Sequence, residues 1–306
     1  MKYSLTNDAR TILLLCASQG GEEEFRPLGG AEYNRVATVL YRSGKWPRDL
    51  LEAQSLPEIP GVSSDRLRWL LGRRINLGFC LEEWQRKGYW VFARSDSDYP
   101  KAIRASMRND APPLLFGTGD QSLLTSKGLA IFGPDAIPEG RIGKACDVAA
   151  DATKQGQTVV VAGHLKMARK IVEAVQECLG RVIWVLHDGE LKQRLKKAHR
   201  QAISSDQLVM VTAQSPKASK ESGETAMVSS LAAGFAEEIL YVDGSNSKLR
   251  KDRFKTTGAA LKRLSDCWLL HGRPTTPEGQ ALKEKGIRLW ANKKINLESD
   301  DNHRKI

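Results

Sequence analysis

The residues best suited to binding an anion lie in three short turns, each directly after an apolar, β-branched run. The turns are Gly133-Pro134-Asp135, Gly163-His164-Leu165-Lys166 and His187-Asp188-Gly189. Glycine lets the chain turn tightly, and the N-terminus of a following helix offers backbone N–H groups to a phosphate. Lys166 could meet an anion at the second turn, whereas Asp135 would repel a phosphate from the first.

Catalytic chemistry has little support in these turns. His187 and Asp188 are adjacent in sequence, and adjacent side chains seldom face the same reacting atom, so we interpret them as part of a helix-capping turn. His164 is interpreted as a loop histidine whose hydrogen bonds are satisfied. The sequence contains no P-loop, no GxSxG or HExxH motif and no pair of catalytic carboxylates. We therefore predict that the protein is not an enzyme and uses neither a cofactor nor a metal.

Positive charge is concentrated beyond residue 110. The net charge is +11, but residues 1–110 carry 17 Lys and Arg against 14 Asp and Glu, which leaves +8 for the remainder. A basic balance favours a polyanionic partner through counterion release and electrostatic steering. The predicted nucleic-acid-binding residues are basic side chains in two clusters: Lys192, Arg194, Lys196, Lys197 and Arg200, then Lys248, Arg250, Lys251, Arg253 and Lys255.

Two further lysines, Lys217 and Lys220, belong to a loop that precedes a predicted helix. The same loop contains Ser215, Ser219 and Ser222. A loop rich in serine, lysine and glycine before a helix suits phosphate binding, and we add both lysines to the candidate residues. The composition suits a solvated surface loop equally well, so both interpretations stay open.

Several classes of protein are excluded by composition. No run of about 18 apolar residues could span a membrane, and the N-terminus lacks the apolar core of a signal peptide. The five cysteines are scattered and form no CxxC pair, which predicts free thiols and neither disulfides nor a zinc site. We therefore expect a cytoplasmic protein without a membrane partner.

Near residue 89 the predicted secondary structure changes from helices alone to strands that alternate with helices. Helical periodicity predicts helices over 8–18, 30–43, 64–75 and 79–87, followed by a short strand at 90–93. β-branched runs then alternate with helices, which indicates a parallel sheet covered on both faces. The predicted strands are 129–133, 158–162, 181–186, 207–212, 238–242 and 266–270. The predicted helices between and after them are 140–155, 166–179, 190–202, 224–235, 254–264 and 276–285. We predict a helical N-terminal domain at 1–88, an α/β domain at 89–292 and a polar tail at 293–306.

Taken in order, these segments resemble the DprA/Smf (DNA-processing protein A) family from about residue 8 to 291. The entry to the α/β domain carries the most specific likeness: Gly88-Tyr89-Trp90-Val91-Phe92, Asp98-Tyr99-Pro100 and Ala111-Pro112-Pro113-Leu114-Leu115-Phe116-Gly117. The strand sequences Ala130-Ile131-Phe132-Gly133 and Val161-Ala162-Gly163 also match. The resemblance implies a Rossmann-like fold, a basic pocket for single-stranded DNA, dimer formation and delivery of DNA to a RecA-type recombinase.

The implied pocket is degenerate in this chain. The family's Gly-Ser-Arg turn corresponds to Gly133-Pro134-Asp135, its Gly-Ile-Asp aligns with Met167-Ala168-Arg169, and its Arg-Asn-Arg falls on Val228-Ser229-Ser230. The degenerate pocket thus comprises Gly133, Pro134, Asp135, Gly163, Lys166 and Arg169. Because an arginine has become Asp135 and an acid has become Arg169, we hypothesise that these two side chains pair and close the pocket. The alternative is that each position changed independently.

We therefore predict an α/β protein with a Rossmann-like, doubly wound, mainly parallel sheet behind a helical N-terminal domain. Its predicted function is non-enzymatic DNA binding through basic segments outside the pocket, beside a RecA-type recombinase or another operon-encoded DNA-acting protein, in DNA processing, a mobile element or phage defence. Homodimer formation is part of this expectation. One alternative is a structural subunit that uses the fold for protein–protein contact. Another is a nucleotide-binding or nucleotide-cleaving enzyme of the lysine-decarboxylase-like group.

Overall fold

The computed structural model describes residues 5–21, 24–126, 128–133, 137–163, 166–187, 196–218, 225–244, 266–270, 280, 283–284 and 287–290. The chain divides into two compact units. We call Met1–Gly119, His187–Lys196 and Met210–Gly223 the helical unit, and Asp120–Leu186, Lys197–Val209 and Glu224–Ile306 the sheet unit. The helices predicted over 254–264 and most of 276–285 lie outside the described residues.

The helical unit is built around a helix that is buried on all sides from Thr11 to Leu15. Its helices are α1 (Asn7–Cys16), α2 (Gly30–Arg42), α3 (Ser64–Gly72) and α4 (Arg74–Arg86), with a 3-10 helix at Pro47–Leu51. In α1 the consecutive residues Ile12, Leu13, Leu14 and Leu15 are all buried. A helix that is apolar all round must be covered on every face. Accordingly, α1 contacts α2, α3, α4 and the 3-10 helix.

The helical unit also contains a two-stranded antiparallel pair. Strand β1 (Trp90–Ala93), α5 (Lys101–Met107) and β2 (Leu114–Gly119) follow one another, and Trp90 lies opposite Gly117. The indole of Trp90 occupies the space beside Gly117, where an added Cβ would lie 2.3 Å from Cζ2 of the ring. The predicted strand at 90–93 is confirmed. Two elements are not predicted from the sequence: β2, which follows Pro112-Pro113, and α5, which has only seven residues and no side-chain cap.

The sheet unit is a parallel sheet with helical connections. Its strands are β3 (Gly128–Phe132), β4 (Thr158–Ala162), β5 (Val182–Val185), β6 (Leu208–Thr212, which begins in this unit), β7 (Glu238–Tyr241), β8 (Asp266–Leu269) and β9 (Arg288–Leu289). Their order is β6-β5-β4-β3-β7-β8-β9. The pairings of β3 with β4 and β7, of β4 with β5, and of β8 with β7 and β9 are all parallel.

In the described part of the chain, four helices connect these strands: α6 (Glu139–Lys154), α7 (Lys166–Glu177), α8 (Lys197–Ser204) and α9 (Thr225–Gly234). Strands β3, β4 and β5 are fully buried over most of their length, as expected for a sheet covered on both faces. The order of the strands reverses at β3, because β4 lies on one side of it and β7 on the other. The predicted doubly wound, mainly parallel α/β fold is therefore confirmed. None of the helices within the described residues is both long and apolar enough to cross a membrane.

Glu32, in the first turn of α2, gives the helical unit a pH-dependent contact. Arg66 donates to both of its carboxylate oxygens at 2.8 and 3.0 Å, and the N–H of Gly29 and a guanidinium nitrogen of Arg26 each donate at 2.9 Å. Burial raises the pKa of Glu32, but the hydrogen bonds from Arg66 and Gly29 outweigh it and hold the pKa at about 2. A carboxylate whose pKa is depressed by folding stabilises the folded state above its unfolded pKa, and this contribution is lost as the pH falls through the folded pKa.

We expect Glu32→Gln to lower the free energy of unfolding by about 2 kcal/mol at neutral pH, since it removes charge-assisted hydrogen bonds. The difference from the wild type should shrink as the pH falls from about 5 to about 2, where Glu32 itself becomes protonated. Denaturant unfolding at a series of pH values measures this. Asp65→Asn serves as the control, because its ion pair with Arg68 is largely exposed. A difference that stays constant over this range would contradict the assignment.

Candidate nucleic-acid interface

The carboxyl ends of β3 and β7 meet where the strand order reverses. In doubly wound sheets, ligands bind in the crevice outside the carboxyl ends of strands at such a reversal. Gly133 follows β3 directly, and an added Cβ on it would lie 2.1 Å from the carbonyl oxygen of Val242, which follows β7. The two backbones approach so closely that only glycine fits. Gly133 is thus required by packing, while Pro134 and Asp135 lie outside the described residues.

Arg141 occupies this edge of the sheet from the first turn of α6. Its Nη1 donates to Oδ2 of Asp243 at 3.0 Å, to the carbonyl oxygen of Asp243 at 2.9 Å and to that of Gly244 at 3.1 Å. The Asp243 side chain is fully buried, and 19% of the Arg141 side chain is exposed. The charge of Arg141 is therefore balanced by a buried carboxylate of the same unit.

The backbone N–H and carbonyl groups of Gly163, which follows β4, form hydrogen bonds within the sheet unit. It has φ +80°, a left-handed conformation that glycine adopts without strain. Its N–H donates to the carbonyl oxygen of Val185 at 2.8 Å, and its own carbonyl oxygen accepts from Nε1 of Trp184 at 2.6 Å. The turn after β4 is thereby tied to β5, and neither of these backbone groups is directed at a ligand. His164 lies outside the described residues.

Lys166, at the start of α7, forms an ion pair with Glu139, the first residue of α6. Both side chains are largely exposed. Arg169 is also exposed and makes no ion pair with any residue that the structure describes. Strands β3 and β4 are neighbours, as the hypothesis of an Asp135–Arg169 pair requires. The pairing itself stays a hypothesis, because Asp135 is not among the described residues.

Helix α8 presents a basic surface. Lys197 and Arg200 are exposed on it, and Lys196 directly before it is exposed too. Within the described part of the chain these three side chains form no ion pair. The opposite side of α8 holds it against the sheet unit, because Ala202 is buried and the ring of His199 meets that of Trp184 edge-on at 5.3 Å.

Lys217 lies in a different environment from these cations. Its Nζ is 2.7 Å from Oε2 of Glu83 in α4, within the helical unit. The hydrogen bond from Lys217 lowers the pKa of Glu83 to about 2 and raises that of Lys217. The same segment is anchored by Ser215, whose hydroxyl donates to the carbonyl oxygen of Ser18 at 2.6 Å. Of the four predicted DNA-binding residues that the structure describes, Lys217 alone is paired with an acid.

The other predicted binding residues lie outside the described part of the chain. They are Lys192, Arg194, Lys220, Lys248, Arg250, Lys251, Arg253 and Lys255. The structure places Lys196, Lys197 and Arg200 together at α8, and Gly163 and Lys166 at the two ends of the connection between β4 and α7. The sequence predicts buried free thiols, and all five cysteines are free, but only Cys80 is fully buried. Within the described residues, no group of three or more His, Cys, Asp or Glu side chains is placed to hold a metal ion.

Two exposed aromatic residues were not identified from the sequence. Tyr41 is 85% exposed and Trp46 is 58% exposed, although Trp84, Trp90, Trp184 and Trp268 are buried as packing residues. The available signal was local: both rings flank a short polar loop that contains Gly44 and Lys45. Aromatic residues at the edges of such a loop have no apolar periodicity that would bury them.

Comparison with known proteins finds the same architecture in solved structures but no related sequence. No family profile matches the chain, and no curated protein does. The architecture defines a Rossmann-like protein with a helical N-terminal unit. DNA processing protein A (DprA) from Streptococcus pneumoniae is 16% identical, with a TM-score of 0.62 over 93% of this chain and 94% of that protein. DprA from Helicobacter pylori, described as binding single-stranded DNA, is 18% identical, with a TM-score of 0.53 over 70% of this chain and 96% of that protein.

The chain therefore has the DprA fold. The resemblance seen in the sequence is confirmed at this level, and it extends over both the helical unit and the sheet unit.

Proposed function

We propose that this chain is a non-enzymatic, DNA-binding protein that acts in DNA processing. The DprA fold supports this function, because both similar structures are DNA processing proteins and one is described as binding single-stranded DNA. The observation that carries the proposal is the basic surface of α8. Lys196, Lys197 and Arg200 are exposed and form no ion pair with described residues, so they can neutralise phosphates.

The proposed site differs from the crevice at the reversal of strand order. There, Arg141 is balanced by Asp243 and Lys166 by Glu139, so binding a phosphate would first require breaking an ion pair. Such competition weakens an anion site, because the carboxylate repels the incoming phosphate. We propose that DNA contacts α8 and that Lys192, Arg194 and the cluster from Lys248 to Lys255 also bind DNA. We further propose that a homodimer of the chain acts with a recombinase or another DNA-acting protein.

We expect the triple variant Lys196→Ala/Lys197→Ala/Arg200→Ala to weaken binding to duplexes of any sequence. Loss of up to three phosphate contacts should flatten the slope of log affinity against log salt by about 3, since each contact contributes about 0.9 for B-DNA. Fluorescence anisotropy with labelled oligonucleotides at several salt concentrations measures both quantities.

The matched control for the α8 variant is Lys154→Ala/Lys170→Ala. These two exposed lysines lie in the same unit as Lys197 and Arg200 and form ion pairs with Asp151 and Glu173, so the variant removes cations that are already balanced. An unchanged slope in the triple variant, or an equal change in the control, would remove α8 from the site. A wild-type protein that does not bind DNA even at low salt would instead support a structural subunit.

A further inference from the structure

The turn between α2 and the following 3-10 helix combines aromatic and basic side chains at the surface of the helical unit. We call residues 41–48 the aromatic turn. Every residue from Tyr41 to Trp46 is exposed, and the large rings at the two ends of this run are among the most exposed apolar side chains described. Isolated exposed rings are common in soluble proteins, but two on one turn are a specific arrangement.

Packing does not account for these two rings. The buried residues on either side are Leu40, which is 2% exposed, and Leu50, which is 4% exposed. They attach α2 and the 3-10 helix to the core of the helical unit. Tyr41 and Trp46 are therefore mostly uncovered by the residues that the structure describes, and their large rings are available for a contact with a ligand.

Backbone hydrogen bonds hold the aromatic turn in one conformation. The N–H of Lys45 donates to the carbonyl oxygen of Leu40 at 2.9 Å, and that of Gly44 donates to Tyr41 at 3.1 Å, with φ +66° at Gly44. This pattern is a Schellman motif, which ends α2. The N–H of Trp46 then donates to the carboxylate of Asp49 at 2.7 Å and so starts the 3-10 helix. A pre-formed turn reduces the conformational entropy that is lost when a ligand binds.

The charge of the aromatic turn is suited to a polyanion. It contains Arg42, Lys45 and Arg48 and no acidic residue. Arg42 and Lys45 make no ion pair with any described residue. Arg48 is held by Asp8 at 2.9 Å and lies 5.5 Å from the centre of the Trp46 ring, where it steadies the indole by a cation–π contact.

We propose that the aromatic turn is a nucleic-acid site of the helical unit, at which Tyr41 and Trp46 stack on unpaired bases of a single strand. Arg42 and Lys45 contact the adjoining phosphates. Stacking on aromatic side chains requires a free face of the base, which a single strand offers and a continuous duplex does not. This site rests on the proposed function of DNA binding and adds to it a preference for unpaired bases, through residues other than those of α8.

The test compares Tyr41→Ala/Trp46→Ala with the wild type on four probes: an oligothymidylate of about 20 nucleotides, the matching oligouridylate, a duplex of equal length and an abasic strand. Because each stacked base contributes a sequence-tolerant contact, we expect the double variant to bind the two single strands about 10-fold or more weakly. Affinity for the duplex and for the abasic strand should stay within about 2-fold, because neither presents a base for stacking.

Two further variants control for the loss of aromatic surface. Tyr41→Phe/Trp46→Phe keeps a ring at each position and should restore most of the affinity for single strands. Phe79→Ala removes another exposed ring of the helical unit, one turn before the acidic pair Glu82-Glu83, and should leave affinity unchanged. Thermal unfolding checks that each variant is folded. We expect all of them to fold, because the substituted positions are exposed.

The outcomes separate the two proposals. Equal weakening toward the abasic strand, or no weakening toward any single strand while the wild type binds and the α8 variant does not, overturns stacking at the aromatic turn and leaves the proposed function intact. A wild type that binds none of the probes overturns both. Weakening confined to one of the two single strands supports the site and shows which of the two strands it accepts.

Discussion

Replacing Arg141 with alanine is expected to lower the free energy of unfolding by about 3 kcal/mol, because it leaves the carboxylate of Asp243 buried without its cation. Arg141 donates hydrogen bonds to this carboxylate and to the carbonyl oxygens of Asp243 and Gly244. Replacing it removes this donor from all three acceptors after β7. The loss is smaller than for a fully buried ion pair, because 19% of the Arg141 side chain is exposed and water can reach the site.

Denaturant unfolding of Arg141→Ala measures this loss, and two further variants serve as comparisons. Lys166→Ala removes the exposed partner of Glu139 and should cost well under about 1 kcal/mol. Adding Asp243→Asn to Arg141→Ala removes the buried negative charge and should recover part of the stability, which a double-mutant cycle quantifies. Additive effects of the two substitutions, or a cost for Arg141→Ala no greater than that of the control, would refute a buried, coupled pair.

The same variant distinguishes structure from binding at the strand reversal. If Arg141 serves to stabilise the end of β7, then Arg141→Ala should bind DNA as tightly as the wild type at temperatures where it remains folded. If affinity for DNA falls and the salt slope flattens by about 1, Arg141 contacts a phosphate instead. The measurement therefore tests directly whether the crevice is a DNA site.

The second large effect is expected at Gly133. An alanine Cβ would lie 2.1 Å from the carbonyl oxygen of Val242, a backbone atom that no rotamer change can move. Strands β3 and β7 are paired immediately before this point, Phe132 opposite Tyr241, so neither backbone can withdraw without breaking the pairing. We expect Gly133→Ala to lower the free energy of unfolding by about 3 kcal/mol, at the upper end of the range for overpacking.

Gly143→Ala is the matched control for this substitution. Gly143 lies inside α6, and an added Cβ there would meet no atom within 4 Å. In an open helical position, alanine should stabilise the protein by roughly 0.5 to 1 kcal/mol relative to glycine. Unfolding midpoints that move in opposite directions for the two variants support the packing role of Gly133, whereas a neutral Gly133→Ala would contradict it.

The role of Gly133 changes how the degenerate pocket is interpreted. The resemblance assigns this glycine to a phosphate-binding turn, yet the structure shows that the close approach of β3 and β7 requires it without any ligand. The glycine can therefore remain while the phosphate chemistry beside it is lost. The presence of Gly133 in the sequence is evidence for the Rossmann-like fold and not for a phosphate-binding site.

The sequence by itself determined the alternation of strands and helices, because the apolar period is a local property. The β-branched run from Val159 to Val161 is buried on both faces as its composition requires, and the helical spacing of α2 ends at the predicted place. Strands β2 and β9 were not predicted from the sequence, because short strands depend on a neighbouring strand for their hydrogen bonds. Composition also determined the excess of positive charge and the free state of the cysteines.

Only the tertiary structure decided which cations are available. Lys166 and Lys217 looked equivalent to Lys197 and Arg200 in the sequence, but Glu139 and Glu83 neutralise the first two from helices far along the chain. The partner of Arg141 is likewise 102 residues distant. The tertiary structure also decided the exposure of Tyr41 and Trp46, because whether a ring is covered depends on what packs over it. Pairing and burial are contacts between segments, and a local pattern of residue types does not contain them.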